Sequence, residues 1–254
     1  MLTPQNAIYD PDQYWEDRGG PSYREYTESP GYEQYRRAQW QFFSELLARL
    51  QPRRLLDFGC GTGKLFPLWV DVPEVHAYDR AQSQIDVARE EARRIRPGNP
   101  YRVLHYVSGE RAEVPYDDDH FDLIVAAEVL LHVVPADIGP LLDELRRICR
   151  GHLAVVTAAP FTNPASHCFD HDYAALCAGR FELTDDHAVH RQRYLVGRKV
   201  PSSGKVPSSG KVPSSGKVPI GEKSQGSTNV VSSPSNPRSP LRGQVRLPNA
   251  IVTT

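Results

Sequence analysis

The sequence predicts an α/β fold, in which helices cover both faces of a doubly wound, mostly parallel sheet. The first observation is an alternation of short apolar runs with helix-like patterns along the middle of the chain. The apolar runs lie near 53–58, 74–78, 102–107, 121–127 and 152–158. Such alternation is typical of parallel strands joined by right-handed crossovers. The second observation is size, since 254 residues with 39% hydrophobic content can fill one sizeable core but not two.

Composition and cysteine spacing indicate the compartment. No run of eighteen apolar residues occurs, so a transmembrane helix is not expected. Residues 1–6 lack the basic start and the apolar stretch of a secretory signal. The four cysteines show neither C-x-x-C spacing nor a disulfide framework; they are Cys60, Cys149, Cys168 and Cys177. We therefore expect a cytoplasmic protein.

Composition also divides the chain into three predicted parts, 1–33, 34–199 and 200–254. The first is polar but holds five of the twelve tyrosines, and such aromatic side chains need a surface to cover. The second is the α/β domain and opens with an amphipathic helix near 33–50. The last begins with repeats of Lys-Val-Pro-Ser-Ser-Gly, holds no aromatic residue and is predicted to be disordered.

Charge is divided unevenly between these parts. The first 199 residues carry 23 basic and 30 acidic side chains, whereas the tail carries seven basic and one acidic. An acidic folded domain repels phosphate backbones, whose binding depends on neutralisation by Lys and Arg. Nucleic acid is therefore disfavoured as the main substrate, although the basic tail leaves a weak contact open.

A glycine-rich loop at 55–64, with the sequence LLDFGCGTGK, is the strongest motif. The apolar run ends in Asp57, three glycines alternate with small residues, and a helical pattern follows. This order predicts a strand, a tight turn and a helix start. A dinucleotide-binding fingerprint needs its third glycine where Lys64 stands, and the loop lacks the Gly-Lys-Ser/Thr of a phosphate-binding loop. The spacing therefore disfavours both of those cofactor classes.

The remaining pattern, acid-x-Gly-x-Gly-x-Gly, resembles the first motif of class I S-adenosylmethionine (SAM)-dependent methyltransferases. Two later segments strengthen the resemblance. Residues 109–116, GERAEVPY, resemble the G-D-A-E-x-L-P-F segment of the type 11 group, which includes many small-molecule methyltransferases. Residues 121–133, FDLIVAAEVLLHV, resemble the F-D-x-V-x-x-x-x-V-L-H-H segment of the same group.

The resemblance implies a Rossmann-like sheet of seven strands whose last strand is antiparallel. The strand-like segments 181–184 and 192–197 would form the final pair. It also implies that S-adenosyl-L-methionine is the cofactor and that the activity is methyl transfer.

Asp79 is predicted to bind the cofactor ribose, because it closes the second strand twenty residues beyond Gly59. A helix N-cap is the alternative role for this acid. The resemblance further implies that Glu110 accepts from the adenine amino group and that the main chain of Arg111 meets a ring nitrogen. The full set of predicted cofactor-binding residues is Asp57, Gly59, Cys60, Gly61, Gly63, Asp79, Arg80, Glu110, Arg111 and Glu128.

His132 is the predicted catalytic residue, acting as a base if the acceptor must lose a proton. It titrates near neutrality and lies four residues past Glu128, so a helical stretch would place both on one face. In the resembled family a histidine here often has only a supporting role, and that alternative stays open. The resemblance also implies that 1–33 folds over the cofactor as a lid; the alternative is packing against the outer helices.

The segment 167–173, HCFDHDY, follows the fifth predicted strand. His167 and His171 could bind a metal ion with nearby acids, but a helix cap by Asp170 or Asp172 is the simpler interpretation. The segment could also contact the substrate. No metal site is predicted.

Missing motifs narrow the acceptor. No Asn/Asp-Pro-Pro-Tyr/Phe follows the fourth strand and no Pro-Cys dipeptide occurs, so a nucleic-acid base is disfavoured. The leading hypothesis is a SAM-dependent methyltransferase acting on a small molecule. The alternatives are a protein or RNA methyltransferase and a non-catalytic SAM-binding protein.

Overall fold

A seven-stranded mixed sheet forms the centre of the molecule. The computed structural model describes residues 9–99, 101–105, 114–160 and 165–201. The strands are β1 (Arg54–Phe58), β2 (Glu74–Asp79), β3 (Arg102–His105), β4 (Phe121–Ala127), β5 (Cys149–Ala158), β6 (Phe181–Val189) and β7 (Gln192–Lys199). Their order is β3-β2-β1-β4-β5-β7-β6, and β7 is antiparallel to both of its neighbours. The predicted Rossmann-like fold, with its antiparallel last strand, is confirmed.

Six α-helices accompany the sheet in the part of the chain that the structure describes. They are α1 (Pro11–Arg18), α2 (Gly20–Glu28), α3 (Glu33–Leu50), α4 (Gln82–Ile95), α5 (Ile138–Ile148) and α6 (Tyr173–Cys177). The helix predicted near 33–50 occurs with those bounds, and it ends where Gln51 takes a left-handed conformation with φ 46°. Short 3₁₀ turns follow β1 and β4, at Phe66–Trp69 and Leu130–His132.

Two apolar layers lie on opposite faces of the sheet. Neighbouring residues of a strand point to opposite faces, so Leu55 packs in one layer and Leu56 in the other. The first layer includes Leu46 of α3 and Ile85 of α4, and the second includes Leu142 of α5. The sheet is thus buried on both sides, as a doubly wound fold requires.

The leader helices α1 and α2 lie against α4. Glu16 accepts a hydrogen bond from the Ser83 amide at 3.2 Å, and Arg24 pairs with Glu91 at 3.2 Å. At Gly20 a Cβ atom would come within 2.1 Å of the Ser83 carbonyl oxygen, so glycine permits this close approach. α1 buries no residue fully; it is held by polar contacts and by its aromatic rings, with Tyr14 against His167 and Trp15 against His132.

Two predictions concern segments that the structure covers only in part. Within the described residues, no helix has both the length and the apolar character needed to cross a membrane. The predicted disordered tail, 200–254, lies outside the described residues from 202 onward.

Candidate active site

A cavity of about 850 Å³ opens at the carboxyl ends of β1, β2 and β4. This is the edge at which open α/β sheets bind their ligands. The glycine loop and Asp79 line one part of it, and His132 lines another. Trp15 of α1 and Tyr23 of α2 contribute side chains from the leader.

The loop after β1 requires glycine at two positions along this wall. Gly59 has φ 71°, and a Cβ there would come within 2.2 Å of the Val129 side chain. Gly61 has φ 55° and its N–H donates to the Asp79 carboxylate at 2.8 Å. The loop therefore presents bare backbone to the cavity, braced by the acid of the neighbouring strand.

Cys60 also lines the cavity, but its backbone N–H is hydrogen-bonded to β2 and its thiol is buried. Its N–H donates to the Tyr78 carbonyl at 2.8 Å, and burial raises the pKa of its thiol well above the ordinary value. A buried neutral thiol is a poor nucleophile, so we assign Cys60 no covalent role.

Asp57 and Gly63 lie behind the loop and not on the cavity wall. The Asp57 carboxylate accepts the Trp69 indole N–H at 2.9 Å, and burial raises the pKa of this acid to about 6. The Gly63 N–H donates to the Cys60 carbonyl at 3.0 Å. In this structure both residues support the shape of the loop, so the geometry gives no direct support to their predicted contact with a cofactor.

Asp79 lines the cavity where β2 ends. Besides the Gly61 amide, it accepts the Ala81 amide at 3.0 Å. Burial raises the pKa of this carboxyl, and the backbone N–H donors oppose that shift. The alternative role as a helix cap is not what the structure shows, because Ala81 is the N-cap of α4. The neighbouring Arg80, also predicted, lines the cavity and donates to Asp12 of α1 at 2.6 Å.

Glu128 follows β4 in a left-handed conformation, with φ 60°, which turns it into the cavity wall. It accepts from Lys64 at 2.7 Å, from Gln192 at 2.6 Å and from the Tyr32 hydroxyl. Burial is the largest single influence and raises the pKa of Glu128, but the Lys64 charge together with the hydrogen bonds from Lys64 and Tyr32 outweighs it, so the pKa is lowered. Glu128 is thus a fully engaged carboxylate, and Lys64, Tyr32 and Gln192 are site residues that sequence reasoning missed.

His132 ends the 3₁₀ turn after β4 and lines the cavity near Trp15, whose ring meets it edge-on at 4.8 Å between centroids. Its Nδ1–H donates to the His167 carbonyl at 3.0 Å, which leaves the Nε2 lone pair available. Burial lowers the pKa of His132 to about 4. At neutral pH the ring is therefore an uncharged hydrogen-bond acceptor and a weak base.

The segment 167–173 closes over this turn. The His171 Nε2–H donates to the carbonyls of Leu130 at 3.1 Å and Val133 at 3.0 Å, and Asp172 caps α6 by accepting the Ala175 amide at 3.0 Å. The predicted helix cap is confirmed at Asp172. His171 does not share a cluster of metal-binding donor atoms with His167 among the described residues.

Gln84 is a further cavity residue that the sequence did not bring out. It is 2% exposed, and neither amide atom has a hydrogen-bond partner among the described residues. Its oxygen lies 3.9 Å from the place where a Gly61 Cβ would stand, so the amide faces the loop. The sequence feature that could have identified Gln84 is a polar residue beside Ile85 and Ala88, on the apolar face of α4.

Of the predicted residues, the structure brings seven to the cavity wall: Gly59, Cys60, Gly61, Asp79, Arg80, Glu128 and His132. Glu110 and Arg111 lie outside the described residues. Their roles, like those of the whole set, stay predictions.

Comparison with known proteins matches the glycine loop and the strands around it. Residues 56–155 match the family model described as "Methyltransferase domain". The chain is 32% identical over 101 residues to 2-phytyl-1,4-naphtoquinone methyltransferase of Synechococcus elongatus, covering 38% of this chain and 41% of that protein. It is 29% identical over 139 residues to the ubiquinone/menaquinone biosynthesis C-methyltransferase UbiE of Vibrio campbellii, covering 52% of each. The chain thus spans about half or less of the length of these curated relatives.

The fold is similar to that of solved structures. Magnesium protoporphyrin IX methyltransferase (ChlM) of Synechocystis PCC 6803, solved with bound SAM, aligns with a TM-score of 0.59 and 17% identity, over 77% of this chain and all of that one. At this identity the likeness concerns the fold alone. Residues 56–155 thus match the methyltransferase-domain family model, within a fold that the chain shares with a solved methyltransferase.

Proposed function

We propose that the protein transfers the methyl group of S-adenosyl-L-methionine to a small-molecule acceptor. The observation that carries the proposal is the single cavity that joins the glycine loop and Asp79 to His132. Its volume of about 850 Å³ is in the range of sites that hold a small-molecule ligand. Bound SAM would supply a methyl group already activated on a sulfonium.

The wall beside the glycine loop fits a nucleoside. Gly61 presents backbone without a side chain, and Asp79 offers carboxylate oxygens that accept hydrogen bonds from hydroxyl groups. The Gln84 amide adds a donor and an acceptor that have no hydrogen-bond partner among the described residues. An unpaired buried amide costs about 1–3 kcal/mol, so a polar ligand that reaches it recovers that cost. Glu110 and Arg111 are proposed to complete the site at the adenine.

His132 is proposed to orient the acceptor. With a pKa of about 4 its Nε2 accepts a hydrogen bond throughout the neutral range, but it is too weak a base to ionise an alcohol or phenol beforehand. We therefore assign it the task of holding an acceptor O–H or N–H in position for transfer. The supporting role left open by the sequence is the one that its low basicity favours.

The acceptor is proposed to be small and largely apolar. Beside His132 the cavity is lined by Trp15, Val133, Val134 and Leu141. Rings and branched alkyl groups match such a wall, whereas an extended polyanion does not. One named relative is a naphthoquinone methyltransferase and the other is a C-methyltransferase of ubiquinone and menaquinone biosynthesis, which supports a small-molecule acceptor.

We also propose a cytoplasmic location. All four cysteines are free thiols, which is consistent with a reducing environment.

The proposal is tested first by cofactor binding. Calorimetry with the full-length chain should show SAM or its demethylated product binding in the micromolar range, about −8 kcal/mol. Asp79→Asn should weaken this by about tenfold, since the amide keeps one acceptor and loses the charge. Equal affinity of the variant and the parent would remove Asp79 from the site.

The acceptor is tested by label transfer. SAM with an isotope-labelled methyl group is incubated with the protein and, in separate arms, a metabolite extract, a protein extract and total RNA. We expect label in a small-molecule product. Label only in the protein or RNA arm would overturn the acceptor class, and tight binding with no label in any arm would indicate a non-catalytic SAM-binding protein.

A further inference from the structure

Three metal-binding side chains converge at the end of the sheet opposite the cavity. Glu74 and His76 belong to the start of β2, and His120 immediately precedes β4. One donor atom of each residue lies within 4.8 Å of the other two. Glu74 and Asp79 are the two ends of β2, so about 16 Å of strand separates this cluster from the cavity wall. The cluster therefore serves no step of the proposed methyl transfer.

The donor atoms are close enough to share one ion. The Glu74 Oε1 atom lies 2.9 Å from the His76 Nε2 atom and 3.9 Å from the His120 Nε2 atom. Ligand atoms around a tetrahedral ion lie about 3.3–3.5 Å apart, because each bond is about 2.0–2.2 Å long. Small movements of the side chains would thus bring all three to bonding distance.

His120 supplies an unsatisfied atom. Its Nε2 is buried and has no hydrogen-bond partner among the described residues. A buried polar atom left unpaired destabilises the fold. A cation between His120 and Glu74 would satisfy that atom.

The surrounding groups orient the other two donors. The His76 Nε2–H donates to the Glu74 Oε1 atom at 2.9 Å, and the Tyr116 hydroxyl donates to His76 Nδ1 at 2.8 Å. An ion at Nε2 would require the other neutral tautomer, whose Nδ1–H would donate to the Tyr116 hydroxyl. Arg54 donates to the Glu74 Oε2 atom at 3.1 Å, which leaves Oε1 for an ion. Such outer contacts are typical of metal sites.

The donor atoms of the cluster favour an ion that imidazole binds well. Arg54 and Arg102 bring positive charge close to Glu74 and His76, and Glu74 is the one carboxylate in the cluster. A hard cation such as Mg²⁺ prefers several oxygen ligands and would be held poorly. Zn²⁺ and its neighbours in the first transition row bind two imidazoles and one carboxylate, with a fourth position for water.

We propose that Glu74, His76 and His120 bind a divalent transition-metal ion that clamps the start of β2 to the start of β4. Glu74 is half exposed and gives the ion a path from solvent, whereas His76 is buried. The ion would fix His120 and, through the His76 ring, Tyr116, the last residue of the segment 109–116. Its role would be structural.

The test uses Zn²⁺ and Co²⁺ with the full-length chain purified in the presence of a chelator and then freed of it. Calorimetry should show one Zn²⁺ site, and Zn²⁺ should raise the melting temperature. Co²⁺ should give visible d–d absorption without a thiolate charge-transfer band. His120→Asn should weaken Zn²⁺ binding by about tenfold or more and abolish the thermal shift. His190→Asn, the same change at an exposed histidine in the turn between β6 and β7, should do neither.

A second cluster in the described chain, His132, His167 and Cys168, provides the competing outcome. A thiolate band, or loss of binding in Cys168→Ser, would place the metal there and overturn the proposal. Absence of Zn²⁺ binding, or equal binding by His120→Asn, would also overturn it. Circular dichroism and SAM affinity of each variant report folding separately, so a failure of the cofactor site is distinguished from a failure of the metal site.

Discussion

Substitution of Gln84 should change the stability of the free protein and its affinity for SAM in opposite directions. Its amide is buried and has no partner among the residues that the structure describes, whereas a ligand in the cavity could satisfy it. Gln84→Leu should therefore raise the melting temperature of the free protein and weaken SAM binding by about fivefold, the equivalent of a hydrogen bond worth about 1 kcal/mol. Thermal unfolding and calorimetry check the two signs. Gln82→Leu is the control, since Gln82 lies on the same helix and bonds to Asp86. A variant that loses both stability and affinity would show that the Gln84 amide is satisfied inside the protein.

Asp57 should make the free energy of unfolding fall as pH rises. Carboxylates in ion pairs have the opposite effect, because pairing lowers their pKa. Burial raises its pKa from 3.8 to about 6 in the folded state, so the protonated form is the one that folding favours. The stability it contributes is complete below about pH 4 and is lost as pH rises through about 6. Asp57→Asn keeps an acceptor for the Trp69 indole and removes the ionisation. The free energy of unfolding of the variant, relative to the parent, should rise by on the order of 2–3 kcal/mol between pH 4 and pH 7. Denaturant titrations at both pH values measure it, and a constant difference would show that Asp57 ionises normally.

His132 should stay neutral far below the ordinary histidine range. Its pKa of about 4 reflects burial, with the His167 carbonyl holding Nδ1–H. NMR of imidazole-labelled protein should show His132, identified as the signal that His132→Gln removes, in the neutral Nδ1–H form at pH 5.5. Titration of this signal near pH 6.5 would contradict the assignment and restore the general-base hypothesis.

At the scale of elements, the leader is the part of the described chain whose order should respond to ligand. α1 has no fully buried residue, and polar contacts such as Arg80 with Asp12 and Tyr14 with His167, at 3.1 Å, tie it to the cavity. Elements of this kind open at low free energy. Hydrogen exchange in α1 and α2 should therefore slow when SAM is added, and removal of residues 1–33 should lower cofactor affinity. Exchange that is indifferent to SAM would support the alternative, that these helices only pack against α4.

The elements show what periodicity predicts well. The strands were predictable because each is a short apolar run bounded by turn residues. α3 was predictable because its apolar residues recur at helical spacing. The site was less predictable. Lys64, Tyr32 and Gln192 come from three distant segments and meet around Glu128, so their spacing along the sequence does not indicate their contact. Glu128 itself was found, because it ends a strand whose edge binds ligands.

At the scale of the whole molecule, the folded part extends a few residues beyond the last strand. The Val200 amide donates to the Arg180 carbonyl at 3.0 Å, and Arg146 donates to the Val200 carbonyl at 3.0 Å. Truncation after residue 201 should therefore leave melting temperature and SAM affinity unchanged, since the removed tail holds no aromatic residue and can bury little. Truncation after 199 removes these two contacts and should lower the melting temperature slightly. A large loss on removal of 202–254 would contradict the proposal that the tail is disordered.

The three tryptophans have three different environments, and this gives the protein its own optical signals. Trp69 is fully buried and hydrogen-bonded, Trp40 is 40% exposed, and Trp15 lies in the cavity wall against His132. Replacing Trp40 with Phe would remove the solvent-exposed emitter and leave one constant and one ligand-sensitive fluorophore. Steady-state emission from Trp15 would then report ligand binding in the cavity without an added label. Stopped-flow traces could resolve whether cofactor and acceptor enter in a fixed order.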